Sequence, residues 1–333
     1  MQLTYPNKKS TEEILALVEE YNSPIDDVNL PALFFGDNFK VLSCLINNGF
    51  KNKIDLIYID PPYNTEQNFT LSLDRVSTIS RSKTDILAYR DNWVMNEYLE
   101  FMRERLILMR ELLSEKGSIY VHIDSKMGHY LKIIMDEIFG IENFKNDIAR
   151  IKSNPKNFSR KAFGNEKDMI LFYAKNTKKN IFNQITMPLT DDEKKTMFEK
   201  VDKQGRRYNT VPVHAPGETV NGETGGLWRD MLPPKGRHWR CSPSELEELD
   251  KQGLIEWSKN GVPRIKKFAD EHKGKKIQDI WRYKDPMYPD YPTQKNDEML
   301  EMIIAQSSNS DSIVMDCFAG SGSFLKASAK LER

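Results

Sequence analysis

Asp60, Pro61, Pro62 and Tyr63 are four consecutive residues whose types could do chemistry together. They close an uninterrupted apolar run, DLIYID (55–60), of the kind that marks a strand buried on both faces. Open α/β sheets place their ligands beyond the carboxyl ends of such strands. The two prolines have fixed φ and no N–H, so the segment is stiff. Their carbonyls join the Asp60 carboxylate as acceptors. A stiff group of acceptors suits an amine held by both of its hydrogens, and Tyr63 offers a flat face on which a base can stack.

A second group lies near the other end of the chain. Phe318, Ala319, Gly320, Ser321 and Gly322 follow the apolar run SIVMDCF (312–318) and open a helix. Glycines let backbone approach a ligand closely, and a helix N-terminus favours a carboxylate. A lone GxG also serves dinucleotide-binding folds, but those place it near the start of the domain.

IYIDPPYNT (57–65) closely resembles motif IV of the amino-methyltransferases that act on DNA. The resemblance implies that Asp60 and the carbonyl of Pro61 accept hydrogen bonds from the target amine. Tyr63 would stack on the flipped base through its ring face, with the hydroxyl secondary. It also implies direct transfer of a methyl group from S-adenosylmethionine, with the base taken out of the duplex. Asp in the first position favours N6 of adenine; enzymes acting on N4 of cytosine more often carry Ser there. The order of motifs, with FAGSG last, resembles the permuted β-class. YPTQKNDEMLEMII (291–304) resembles its motif X, in which Lys295 would meet the cofactor carboxylate. Lys295, Asp316, Phe318, Gly320 and Gly322 are thus the expected cofactor residues. Asp37 joins them as an acidic group near the adenosine ring, or else is a helix N-cap. GSIYVHID, HYLKIIMDEIFG, GRHWR and GLIEWSKNGVPRIKK look like segments of Mod-type adenine methylases of restriction systems. Asn296 replaces the usual Pro after Lys295, and Ser323 stands where Thr is common. The family continues with a strand ending in an acidic residue that holds the ribose, so the resemblance implies a truncation at Arg333. Two rival readings stay open: N4-cytosine methylation, and a non-catalytic DNA-binding relative. RNA methylation is a weaker third.

The elements that must position these residues follow from the pattern. TEEILALVEEY (11–21) reads as a helix, LFFGD (33–37) as a strand, and NFKVLSCLINNG as the helix after it. Residues 66–92 are polar and aperiodic and read as a long loop beside the site. Leu99, Met102, Leu106, Met109 and Leu113 recur at helical spacing within a helix at 96–117, with Gly117 as its C-cap. SIYVHID (118–124) is the next strand and residues 126–140 the next helix. This rhythm predicts an α/β fold with an open parallel sheet and helices on both faces. With the resemblance, it becomes a permuted, Rossmann-like S-adenosylmethionine-dependent methyltransferase fold with an inserted target-recognition region. The expected divisions are a catalytic part at 1–147, a basic recognition region at 148–285 and a cofactor-binding part at 286–333.

The net charge of zero hides an asymmetry. Residues 145–285 hold 30 Lys+Arg against 20 Asp+Glu, whereas the rest holds 19 against 29. A basic block in a neutral chain is a footprint for a polyanion. Its candidate contacts to double-stranded DNA are Arg206, Arg207, Lys235, Arg237, Trp239 and Arg240. A further helix opens with a Ser cap at 242–253, and MILFYAK (169–175) reads as a strand. Three scattered cysteines, no metal-ligand spacing, no basic-then-apolar leader and no run of membrane-spanning length point to a cytoplasmic, metal-free protein. The partners expected are DNA, a restriction endonuclease subunit and a second copy of the chain.

Overall fold

Ile54–Ile59 forms β1, buried along its whole length in the computed structural model of the chain. The structure describes residues 2–25, 30–63, 67–71, 86–91, 93–155, 161–285 and 294–333, with backbone alone over 67–71 and 86–91. The described residues divide into two compact units. One comprises residues up to 185 together with 278–333; the other comprises 186–277.

In the first unit, a capping box between Ser10 and Glu13 opens α1 (Thr11–Val18). Next come α2 (Asn38–Leu45), β1 and an antiparallel pair, β2 (Gln67–Leu71) with β3 (Ile86–Asp91). Then follow α3 (Met95–Leu112), β4 (Leu113–Ile123), α4 (Ser125–Phe139), β5 (Phe144–Ile151) and β6 (Lys167–Ala174). Asp124 caps α4 by accepting from the N–H groups of Lys126 and Met127, both at 3.0 Å.

The second unit holds β7 (Thr186–Met187), α5 (Asp191–Met197), β8 (Lys200–Val201), β9 (Arg207–Pro212), β10 (His214–Pro216) and β11 (Arg237–Trp239). It continues with α6 (Pro243–Lys251), β12 (Ile255–Trp257), β13 (Pro263–Phe268) and β14 (Lys275–Lys276). Strands β12-β13-β9-β8 make an antiparallel sheet. Val213, Trp228, Trp239, Leu246, Ile255 and Ile265 form its core. Ser242 caps α6 as its sequence predicts.

The chain then re-enters the first unit with β15 (Ile280–Trp281), α7 (Asp297–Ser307), β16 (Ile313–Met315) and α8 (Ser323–Lys330). The main sheet runs β15-β5-β6-β4-β1-β16, and β6 is its one antiparallel strand among the described residues. Alternation along the strands sends side chains to both faces. Ile57, Ile59, Ile119 and Val121 enter a core shared with α1–α4. On the other face Tyr58 stacks on Phe324 of α8, and the Tyr120 and Ser307 hydroxyls are hydrogen-bonded at 2.8 Å. No helix among the described residues is long and apolar enough to cross a membrane.

Four expectations need correction. Residues 33–37 are not a strand: no described strand pairs with them, and Leu33 and Phe35 are exposed. The predicted helix at 96–117 stops at Leu112, because β4 begins at Leu113. Leu113 is fully buried and so fits either pattern. Gly117 is therefore not a helix cap. It lies in β4 where the register against β1 shifts, and a Cβ there would come within 2.8 Å of the Ile54 carbonyl oxygen. The segment 66–92 is not all loop, since it contains β2 and β3; residues 72–85 lie outside the described ones. Residues 148–185 and 278–285, counted with the basic region in the sequence, belong by compactness to the first unit, where they supply β5, β6 and β15.

Candidate active site at the strand ends

Three neighbouring parallel strands, β4, β1 and β16, deliver their carboxyl ends to one edge of the sheet. Asp60 leaves β1 there, and both of its carboxylate oxygens are engaged. The Tyr63 hydroxyl donates to Oδ1 at 2.6 Å, and Lys295 Nζ donates to Oδ2. The Tyr98 hydroxyl, on buried α3, donates to the Pro62 carbonyl at 2.6 Å and pins the loop. Burial and the adjacent Asp60 charge push the Tyr63 phenol far above its ordinary range, so it stays a donor. The structure thus brings Asp60, Pro61, Pro62, Tyr63 and Lys295 together. Asn64, Thr65 and residues 291–293 lie outside the described residues. Asn296, the departure after Lys295, caps α7 by accepting from Met299 N at 3.0 Å, a task Pro cannot perform.

The glycine turn follows β16. Gly320 and Gly322 have φ of 53° and 76°, left-handed values that favour glycine. A Cβ on Gly322 would meet nothing within 4 Å, and α8 begins there without a side-chain cap. An open turn at a helix N-terminus fits a ligand carboxylate. Phe318 packs edge-on to Phe101 at 6.2 Å and donates its N–H to Asp316 Oδ1 at 2.8 Å. Burial pushes the Asp316 carboxyl up to about 7; the Phe318 N–H opposes this and the Asp60 charge reinforces it. Asp37 does cap α2, accepting from Lys40 N at 3.3 Å, and it also pairs with Arg105 at 3.1 Å. Asn38 beside it donates to the Cys317 carbonyl at 3.1 Å, tying α2 to the turn.

Beneath Tyr63 is a buried polar group that the sequence reading missed. His122 is fully buried on β4, with its ring centre 6.3 Å from that of Tyr63. Its Nδ1 is 2.9 Å from the Tyr58 hydroxyl and its Nε2 is 3.3 Å from Asp168 Oδ2. Burial holds the imidazole below its usual range, so it is neutral at neutral pH. The Tyr58 hydroxyl can then donate to Nδ1, and Nε2–H to Asp168. Lys152 also reaches Asp168, at 2.6 Å. Although burial opposes ionisation, the hydrogen bonds from His122 and Lys152 hold the Asp168 carboxyl below its ordinary range. The members come from β1, β4, β6 and Lys152 just past the end of β5, and no local motif announces them.

In the second unit the sequence candidates separate. Lys235, Arg237 and Arg240 are exposed around β11. Arg237 contacts His214 Nδ1 at 3.2 Å, and Arg240 donates to the Pro212 carbonyl at 2.9 Å. Arg206 is already forked onto Asp270 and Glu271, with contacts of 2.8–3.1 Å. Arg207 is half-buried and donates to the Phe198 carbonyl. Trp239 is no surface ring: it is 3% exposed and its indole N–H donates to the Gly226 carbonyl at 2.7 Å. An aromatic in a domain core cannot also stack on a base, which corrects its assignment.

Type II methyltransferase M.EcaI of Enterobacter cloacae is 41% identical over 314 residues, covering 91% of this chain and 65% of the relative. The StyLTI Mod subunit, from a type III restriction-modification enzyme of Salmonella typhimurium, is 27% identical over 352 residues, covering 96% and 53%. The chain therefore spans between about half and two thirds of the length of these relatives. The crystal structure of the M1.HpyAVI–SAM complex is 16% identical, covers 90% of this chain and 88% of that one, and superposes with a TM-score of 0.42. Residues 54–333 match the DNA methylase family, a stretch that takes in Asp60–Tyr63, Lys295 and the glycine turn, and the chain belongs to that family.

Proposed function

We propose that the protein methylates N6 of a flipped-out adenine in double-stranded DNA, with S-adenosylmethionine as methyl donor. The observation that carries this reading is the Asp60 carboxylate, held by Tyr63 beside an aromatic ring at the carboxyl end of β1. The exocyclic nitrogen of adenine is a poor nucleophile because its lone pair is delocalised into the ring. Asp60 and the Pro61 carbonyl would accept hydrogen bonds from its two N–H groups and return density to nitrogen. As positive charge builds there, Asp60 stabilises it with little reorganisation. Tyr63 supplies the stacking face. The bound cofactor supplies an electrophilic methyl on a sulfonium; Gly320, Gly322 and Lys295 would hold its carboxylate end, and Asp37, Asp316 and Phe318 are the further cofactor residues of this reading. Lys235, Arg237 and Arg240 are the proposed DNA contacts of the second unit. The likeness to a Mod subunit supports a further proposal, that a restriction subunit is a partner.

The reading is tested by transferring labelled methyl to plasmid DNA and identifying the modified nucleoside. N6-methyladenine is the expected product, and Asp60→Ala should lower its formation ~10²–10³-fold, as for loss of a fixed polar group in a transition state. N4-methylcytosine would overturn the choice of base. Undiminished transfer by Asp60→Ala would overturn the site.

A further inference from the structure

Lys295 stands where the target amine has to go. Its Nζ donates to Asp60 Oδ2 and lies 5.6 Å from the centre of the Tyr63 ring. A nitrogen donor on that carboxylate, beside that ring, is the arrangement the exocyclic amine of a flipped base would make. The contact is shielded, with the lysine side chain 10% exposed and that of Asp60 18%. An ammonium has no lone pair, so Lys295 held this way is no methyl acceptor itself. It is also incompatible with the reaction, because positive charge developing on the amine nitrogen would face a lysine cation at contact range, where Coulomb repulsion is steep. The lysine has an alternative direction to turn. A second carboxyl, Asp316, follows β16 just ahead of the glycine turn and feels the charges of both Asp60 and Lys295.

We propose that Lys295 is an internal competitor of the target amine for Asp60, drawn off when a ligand carboxylate binds at the glycine turn. The inference rests on the reading of Asp60 as the amine acceptor. It makes cofactor binding and base capture mutually reinforcing, since each requires the Lys295–Asp60 pair to part.

Calorimetry of the whole chain with S-adenosylhomocysteine tests it without any turnover. Removing the carboxylate by Asp60→Asn, with Asp60→Ser as a second variant should Asn fail to fold, frees the lysine beforehand. Affinity should then rise about 5–10-fold, the equivalent of roughly 1–1.4 kcal/mol. Lys295→Met should weaken binding, and in the double variant the gain from Asp60→Asn should vanish. Unchanged or weaker binding by both Asp60 variants overturns the proposal, as does a gain that survives without Lys295. Failure of the underlying reading looks different. If wild type and every variant fail to bind, the cofactor assignment falls and the competitor with it. If Asp60→Asn retains full methyl transfer, the amine-acceptor assignment falls whatever calorimetry shows.

Discussion

At the scale of single residues, the hydroxyl of Tyr63 alters what a substitution there should do. Stacking alone would make Tyr63→Phe harmless, which is what the sequence suggests. The hydroxyl, however, donates to Asp60 Oδ1 at 2.6 Å. A hydrogen bond to a charged acceptor contributes ~1.5–3 kcal/mol. Tyr63→Phe should therefore cost roughly 10–100-fold in methyl transfer at 1.4 kcal/mol per decade, with Tyr63→Ala costing more. Wild-type turnover by the Phe variant would return the role to the ring alone. Asp316 yields a pH prediction. Its carboxyl moves from 3.8 to about 7 on folding, mainly through burial, so the fold favours the protonated form. That contribution is complete below the unfolded value and is lost as pH rises through about 7. Asp316→Asn should raise the melting temperature near pH 8, by the equivalent of ~1 kcal/mol or more, and flatten the pH dependence below that. A melt of the two proteins across pH checks it, and identical curves would refute it. Asp60, Tyr63 and the glycine turn were legible because each is a contiguous string. His122 and Asp168 were not, because 46 residues separate two groups that meet only through the β4–β6 pairing.

At the scale of elements, β4 shows how a helix pattern can overrun its end. Leu113 continues the apolar spacing of α3, yet the backbone turns extended at that residue, with ψ of 135°. Glycine four residues later then looks like a helix stop. Its actual constraint is steric, since a methyl group there would press on Ile54 O and on Leu113 Cδ2, both at 2.8 Å. Gly117→Ala should therefore destabilise the protein by ~1–3 kcal/mol, the usual cost of overpacking, although alanine would be favoured at an ordinary helix position. Denaturant unfolding separates these outcomes, and a stabilised variant would show that the strand can relax. LFFGD failed for the opposite reason. Its composition suits a strand, but a strand forms only against a hydrogen-bonded neighbour, and no described strand pairs with residues 33–37. The buried strands β1 and β6 were readable because an all-apolar run has few other uses.

At the scale of the molecule, the balanced charge is divided between a basic stretch and an acidic remainder. If the exposed cations around β11 meet phosphates, replacing Arg237 and Arg240 by Gln should weaken binding to duplex DNA. The slope of log affinity against log salt should also flatten, by ~0.9 for each phosphate no longer neutralised. Arg206→Gln is the control. Its guanidinium already serves Asp270 and Glu271, so DNA affinity should barely change. Anisotropy titrations over a salt series would show both. An equal loss from Arg206→Gln would mean that the intramolecular fork opens to DNA.

The parallel pairing of β1 with β16 joins Ile54 to Ile313 and so spans most of the chain. On the ribosome this becomes a delay. At ~5–20 residues per second, β1 emerges on the order of ten seconds or more before its last neighbour exists. During that interval an apolar strand that is fully buried in the finished sheet keeps one hydrogen-bonding edge open. The glycine turn and α8 are made later still, directly after β16. The nascent protein therefore holds its candidate catalytic loop before it has the turn that would receive a ligand, and the pairing of β1 with β16 and the arrival of that turn are a single late event.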